Sequence, residues 1–189
     1  MGKQEVLDLL LESLHFIVKH RNDVQCAIVG DGTELETIKQ LAKEMKLCEY
    51  VDFYGRVDDF TMVEILNTAD ICVNPDTPTE MNNLSTMNKI MEYMALKKPI
   101  VQYDLKEGRL SAQGASLYAE NTSTEDFANK IMWLLDNKEE RIKMGEIGYD
   151  RIINKLSWNH ESQKLIHYYE HILSNDKIKF HTPISNNLL

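Results

Sequence analysis

The chain has 189 residues, 43% of them apolar and 27% charged, with a net charge of -9. That balance is ordinary for a globular domain large enough to bury a core, and no apolar stretch approaches the length of a membrane span. An acidic chain without a basic run argues against nucleic acid and anionic membrane surfaces as partners, so an anionic ligand has to be held by local groups.

Residues 1–5 are polar and no cleavage site follows, which reads as a cytoplasmic chain without a secretory leader. Val6, Leu9, Leu10, Leu14, Ile17 and Val18 recur at helical spacing and predict a helix over residues 5–20, ended by Asn22-Asp23. A short β-branched run, residues 24–29, predicts a buried strand, and Gly30-Asp31-Gly32 turns the chain. Thr33, with Glu36 three residues on, reads as a capping box for a helix reaching residue 46. A strand over 51–54 ends at Gly55, a helix covers 60–68, and an apolar strand covers 70–74. A turn-rich loop follows over 75–84. Ser85 is placed to cap a helix running to residue 96.

Residues 99–103 and 116–119 predict the last strands. Ser123 with Asp126 resembles a cap for a helix over 125–136, where Trp133 joins Phe127, Ile131 and Leu134 on a core face. Helices over 138–155 and 159–173 complete one domain, residues 1–173, and a loose tail runs from Ser174 to the end. The three cysteines are far apart. Cys26 and Cys72 fall in strand-like runs, as free buried thiols do in a reducing compartment.

Strands and helices alternating over short connections predict an α/β fold, a Rossmann-like parallel sheet with helices on both faces. Ligands of such sheets bind beyond the carboxyl ends of the strands. That rule selects the loops at residues 30–33, 55–59, 74–85 and 104–114, of which only the third is long. It ends in Asn82-Asn83-Leu84-Ser85-Thr86 and leads into a helix whose first N–H groups lack partners and carry partial positive charge. Phosphate oxygens suit such an end. On that helix Lys89 and Glu92 are three apart and share a face with Asn88. Glu92 can accept hydrogen bonds from a vicinal diol; alternatively, Lys89 and Glu92 form an ordinary exposed ion pair. Gly30 and Gly32 are either a fragment of a dinucleotide fingerprint, lacking its third glycine, or a plain tight turn. Gly55-Arg56-Val57 either lets backbone approach a flat ring or is a simple strand-end turn.

The run Ser85-Thr86-Met87-Asn88-Lys89-Ile90-Met91-Glu92-Tyr93-Met94-Ala95, followed by Lys98-Pro99-Ile100-Val101, closely resembles the donor-site helix of family 4 (group 1) retaining glycosyltransferases. Supporting marks stand in order: Ile28-Val29-Gly30-Asp31-Gly32, Val51-Asp52-Phe53-Tyr54-Gly55-Arg56-Val57, Ala69-Asp70-Ile71-Cys72-Val73-Asn74-Pro75 and Leu156-Ser157-Trp158. The resemblance covers residues 6–173. It implies the C-terminal, donor-binding half of a two-domain GT-B enzyme. The ligand would be a nucleotide diphosphate sugar, with no metal or cofactor expected. Glu92 matches the second glutamate of the family's Glu-x7-Glu motif, which meets the ribose hydroxyls. The backbone of Ser85, Thr86 and Met87 would face the diphosphate or sugar, with Asn88 and Lys89 beside it. Gly55, Arg56 and Val57 would lie along the base, and Gly30 and Gly32 would line the cleft.

The sequence also departs from the pattern. Leu84 stands where the first glutamate belongs, and Asn83 or Ser85 is placed to take over its hydroxyl contact. The family's diphosphate Arg would precede Met1, and its Lys position falls at Glu5, with Lys3 nearby. The first strand of the domain, central in the order 3-2-1-4-5-6, is missing, as is the acceptor-binding domain. The chain therefore reads as a truncated product whose membrane contact, if any, lies in that missing domain. His167-Tyr168-Tyr169-Glu170-His171 matches a zinc-peptidase pattern but reads better as one face of an amphipathic helix. Asp104, Glu107 and Arg109 form a polar loop that either touches an acceptor or is simply solvated.

Overall fold

Parallel pairing organises the chain. A computed structural model describes residues 6–174. The elements are α1 (Leu7–Val18), β1 (Cys26–Val29), α2 (Leu35–Glu44), β2 (Val51–Gly55), α3 (Asp59–Thr68), β3 (Cys72–Asn74), α4 (Asn88–Ala95), β4 (Ile100–Tyr103), α5 (Lys106–Ala112), β5 (Ser116–Ala119), α6 (Thr124–Asp136), α7 (Lys138–Arg151) and α8 (Trp158–Ser174). A 3-10 turn, Gln113–Ala115, precedes β5, and a π turn, Ile152–Leu156, separates the last two helices.

The strands form two parallel sheets, β1-β2 and β3-β4-β5. Cys26 pairs with Val51, Cys72 with Ile100, and Ile100 with Ser116. Among the described residues β1 and β3 do not pair with each other, and no strand lies between them. Ala27, in the middle of β1, is exposed, whereas all four residues of β4 are buried.

One core still serves both sheets. Leu10, Leu11, Leu14 and Ile17 line a single face of α1, which packs on α6. Leu10, Leu11 and Leu14 share a buried cluster with Ile28 and Val51 of the first sheet and Val101, Tyr103 and Ala119 of the second. On the other side α4 packs against α7, with Ile90, Met94 and Ile100 buried. That approach depends on α7 glycines: a Cβ on Gly145 would lie 2.1 Å from the Lys97 carbonyl oxygen.

Several sequence expectations need correction. Thr33 does not cap α2; Leu35 N–H bonds to Gly32 O at 3.2 Å, so Thr33 sits inside a turn. Residues 104–114 are not a loop, because α5 fills most of them. Arg151, reaching across from α7, holds the end of α5: its guanidinium donates to Ser111 O, Leu110 O and Gln113 Oε1 at 2.7–2.9 Å. Trp133 is 46% exposed rather than core, since it sits one residue, about 100° of helix rotation, from the buried Leu134. The cap at Ser123 is as expected, its Oγ accepting from Asp126 N–H at 3.1 Å. The aromatic face of α8 is exposed, including Tyr168 and Tyr169. Glu5, Lys3 and the tail beyond Ser174 lie outside the described residues. Among the described residues no helix is long and apolar enough to cross a membrane.

Candidate functional site

The carboxyl ends of the strands carry the candidate residues. At the end of β1 the N–H of Gly30 donates to Gly55 O at the end of β2, 2.7 Å away, which ties the first two loops together. Gly55 has a φ of 65° and no atom within 4 Å of where a Cβ would stand, so conformation and not space calls for glycine there. Arg56 follows it, exposed, with no partner for its guanidinium among the described residues. Asp58 then caps α3 by accepting from Thr61 N–H at 2.8 Å, which holds its carboxyl below the usual range.

The third loop is built from buried polar groups. Asn74, Asp76 and Asn82 are all buried. Asn82 Nδ2 donates to Thr77 O at 2.9 Å, and Asp76 accepts from Lys89 Nζ at 2.8 Å. Lys89 therefore belongs to a loop-to-helix ion pair and not to a pair with Glu92, which corrects the bland sequence alternative. Glu92 is exposed, and its carboxylate has no hydrogen-bond or ion-pair partner among the described residues. Burial pushes the neighbouring Tyr93 phenol well above its ordinary pKa, and the charges of Cys72, Glu92 and Asp76 add to that.

The helix also begins later than the sequence predicts. It starts at Asn88, with Met87 as its uncapped N-cap, and the Ser85 hydroxyl turns back to donate to Met81 O at 2.8 Å. Serine often bonds a carbonyl four residues back in this way instead of capping. The consequence is a longer free stretch. Among the described residues, the backbone N–H groups of residues 85–89 have no acceptor, whereas Leu84 N–H and Ile90 N–H are both bonded. Unpaired N–H groups at a helix start are donors of the kind that suits an anion.

The polar segment of Asp104, Glu107 and Arg109, for which the sequence leaves acceptor contact and plain solvation open, joins this stretch. Asn83 Oδ1 accepts from Lys106 N–H at 2.9 Å, and Thr86 Oγ1 donates to Glu107 Oε1 at 2.7 Å. The same Glu107 oxygen accepts from Ser111 Oγ at 3.0 Å. Asp104 and Arg109 pair with each other, and Arg109 also lies over the Tyr118 ring at 4.5 Å. The signal for Glu107 was absent from local periodicity, because its partners lie 21 residues upstream and four downstream.

Residues 1–137 match the family model described as glycosyl transferases group 1. The chain belongs to this family. It is 27% identical over 154 residues to a poly(ribitol-phosphate) alpha-N-acetylglucosaminyltransferase of Staphylococcus aureus, covering 80% of this chain but 30% of that relative. The chain thus spans about a third of that protein's length. Among solved structures, a point mutant of S. aureus TarM, in complex with Fondaparinux, alpha-GlcNAc-glycerol and UDP, aligns at a TM-score of 0.78 with 24% identity, over 89% of this chain and 34% of that one. Anabaena HepE in complex with UDP aligns at 0.79 with 15% identity, over 90% of this chain and 46% of that one. These likenesses establish the GT-B type of α/β fold for this group 1 chain. Leu84, just before α4, is 78% exposed.

Proposed function

We propose that this chain is the donor-binding portion of a glycosyltransferase that moves a sugar from a nucleotide diphosphate sugar to an acceptor hydroxyl with retention, in polysaccharide or cell-envelope glycan synthesis. The observation that carries the reading is the run of five free N–H groups at residues 85–89, followed one turn on by the unpartnered Glu92 carboxylate. The diphosphate sits on the N–H run, and Glu92 accepts from the ribose hydroxyls. Gly55, Arg56 and Val57 border the base, and Gly30 and Gly32 line the cleft. The UDP bound by TarM and HepE supports the ligand class.

In this reading the protein supplies no nucleophile. The free N–H groups would meet the negative charge that grows as the bond from the anomeric carbon to the diphosphate breaks. Such preorganised donors stabilise the departing group electrostatically. The acceptor hydroxyl attacks from the face the diphosphate leaves, guided by an acceptor-binding domain beyond these residues. That domain also brings whatever membrane contact the enzyme has.

Calorimetric titration with UDP, GDP and ADP tests the reading. It predicts that one of them binds at millimolar concentration or below; no binding of any of the three contradicts it. A second reading, a binding module that catalyses nothing, is favoured by Leu84, whose side chain accepts no hydrogen bond. It predicts equal affinity for a nucleoside diphosphate and its sugar conjugate, and no turnover when the chain is joined to an acceptor domain.

A further inference from the structure

The sequence resemblance implies that a hydroxyl of the donor sugar is met at position 84, where this chain offers Leu84 and no carboxylate. Each of its two polar neighbours has one group engaged. Asn83 spends its carbonyl oxygen on Lys106 N–H, and Ser85 directs its hydroxyl proton to Met81 O. A carboxylate is nevertheless present at this point, brought by a different element. Glu107, in the first turn of α5, is half-buried and reaches Thr86 Oγ1 at 2.7 Å. Its Oε1 receives both Thr86 and Ser111 hydroxyls, and its other oxygen has no partner among the described residues.

We propose that Glu107 is the sugar-contacting carboxylate of this chain, accepting a hydroxyl of the donor sugar on its free oxygen in place of the side chain that Leu84 lacks. The proposal rests on the donor-site reading above. Three local features hold Glu107 there. Lys106 N–H is anchored by Asn83, so the start of α5 is fixed to the loop. Gly108 lets the helix lie on the sheet, because a Cβ there would come 2.5 Å from Gln102 Oε1. Arg151 holds the far end of α5. A carboxylate that already receives two hydroxyls on one oxygen is chemically suited to receive a third on the other.

The test is calorimetry of the whole chain with UDP, GDP and ADP, each beside its glucose conjugate, on the unaltered protein and on Glu107→Gln, Glu107→Ala and Ser111→Ala. Glu107→Gln keeps an oxygen for Thr86 and Ser111 but loses the charge. The expected result is at least about fivefold weaker binding of the glucose conjugate in both Glu107 variants, a typical loss for a hydrogen bond to a charged group. The nucleoside diphosphate should change less than twofold, and Ser111→Ala should keep the sugar preference. Equal weakening of both ligands assigns Glu107 to loop positioning alone and overturns the proposal, as does no change. If no nucleotide binds the unaltered chain, the donor-site reading itself falls.

Discussion

Lys89 reaches back from the first turn of α4 to Asp76 in the loop after β3, its Nζ 2.8 Å from Oδ2, and leaves Glu92 unpaired one turn further on. This single choice of partner does two things. It anchors the long loop to the helix that follows, and it keeps a carboxylate available at the mouth of the sheet.

The Asp76 side chain is 6% exposed, so removing its partner strands a buried charge. Lys89→Met should cost about 3 kcal/mol, the usual scale for breaking a buried pair. Adding Asp76→Asn should return part of that loss. Urea unfolding of the two variants and the double variant checks it; strictly additive losses would show that the pair is not coupled.

Close helix packing yields the next expectation. Gly145→Ala places a methyl 2.1 Å from the Lys97 carbonyl oxygen, backbone that cannot simply rotate away. Overpacking of this kind costs about 1–3 kcal/mol. Gly148→Ala meets first Met94 Cγ at 2.9 Å and then Ala115 Cβ at 3.1 Å, side-chain atoms at longer range than the backbone oxygen met at Gly145. Thermal unfolding should therefore rank Gly145→Ala as the less stable of the two.

The thiols give a pH dependence. Burial pushes Cys26 up to about 12, helped by the charge of Asp52, and pushes Cys72 up to about 12 against the opposing charge of Lys98. A free thiol titrates at about 8.5. The folded state therefore holds these protons more tightly than the unfolded state. Their stabilising contribution is complete below about 8.5 and is lost as pH rises from there through 12. Denaturant midpoints measured from pH 8 upward should fall, and less so in Cys26→Ala. At pH 8.5 iodoacetamide should modify the exposed Cys48 first and the buried Cys72 only on unfolding, with Cys26, partly exposed and not buried as its strand-like run suggested, between them.

Much of the fold was legible because β1 and β4 are short apolar, β-branched runs and α1 and α6 show apolar periodicity. The alternation of strands and helices was legible too, and the strands pair in parallel as β1-β2 and β3-β4-β5. What escaped the sequence depends on distant partners. α5 contains Gly108, has no apolar stripe, and is held by Asn83 and Arg151 from elsewhere in the chain. The start of α4 was misplaced because a serine before a helix can cap it or bond backward, and Ser85 bonds backward. Trp133 was assigned to the core by neighbours on its helix, yet the buried face belongs to Phe127, Ala128 and Leu134. At the site, Glu92 and the free N–H run follow from the helix itself, whereas Glu107 becomes visible only once α5 is laid against the loop.

The central claim is that the start of α4 and Glu92 together hold a nucleoside diphosphate. Its most direct test is calorimetric titration of the unaltered chain and of Glu92→Ala with whichever of UDP, GDP and ADP binds. Glu92→Ala should lose about 1.5–3 kcal/mol of binding, the value of a hydrogen bond to a charged group, with the unfolding midpoint little changed because the exposed Glu92 carboxylate has no hydrogen-bond or ion-pair partner among the described residues. Identical affinities for the two proteins would contradict it and leave Glu92 a solvent-facing residue.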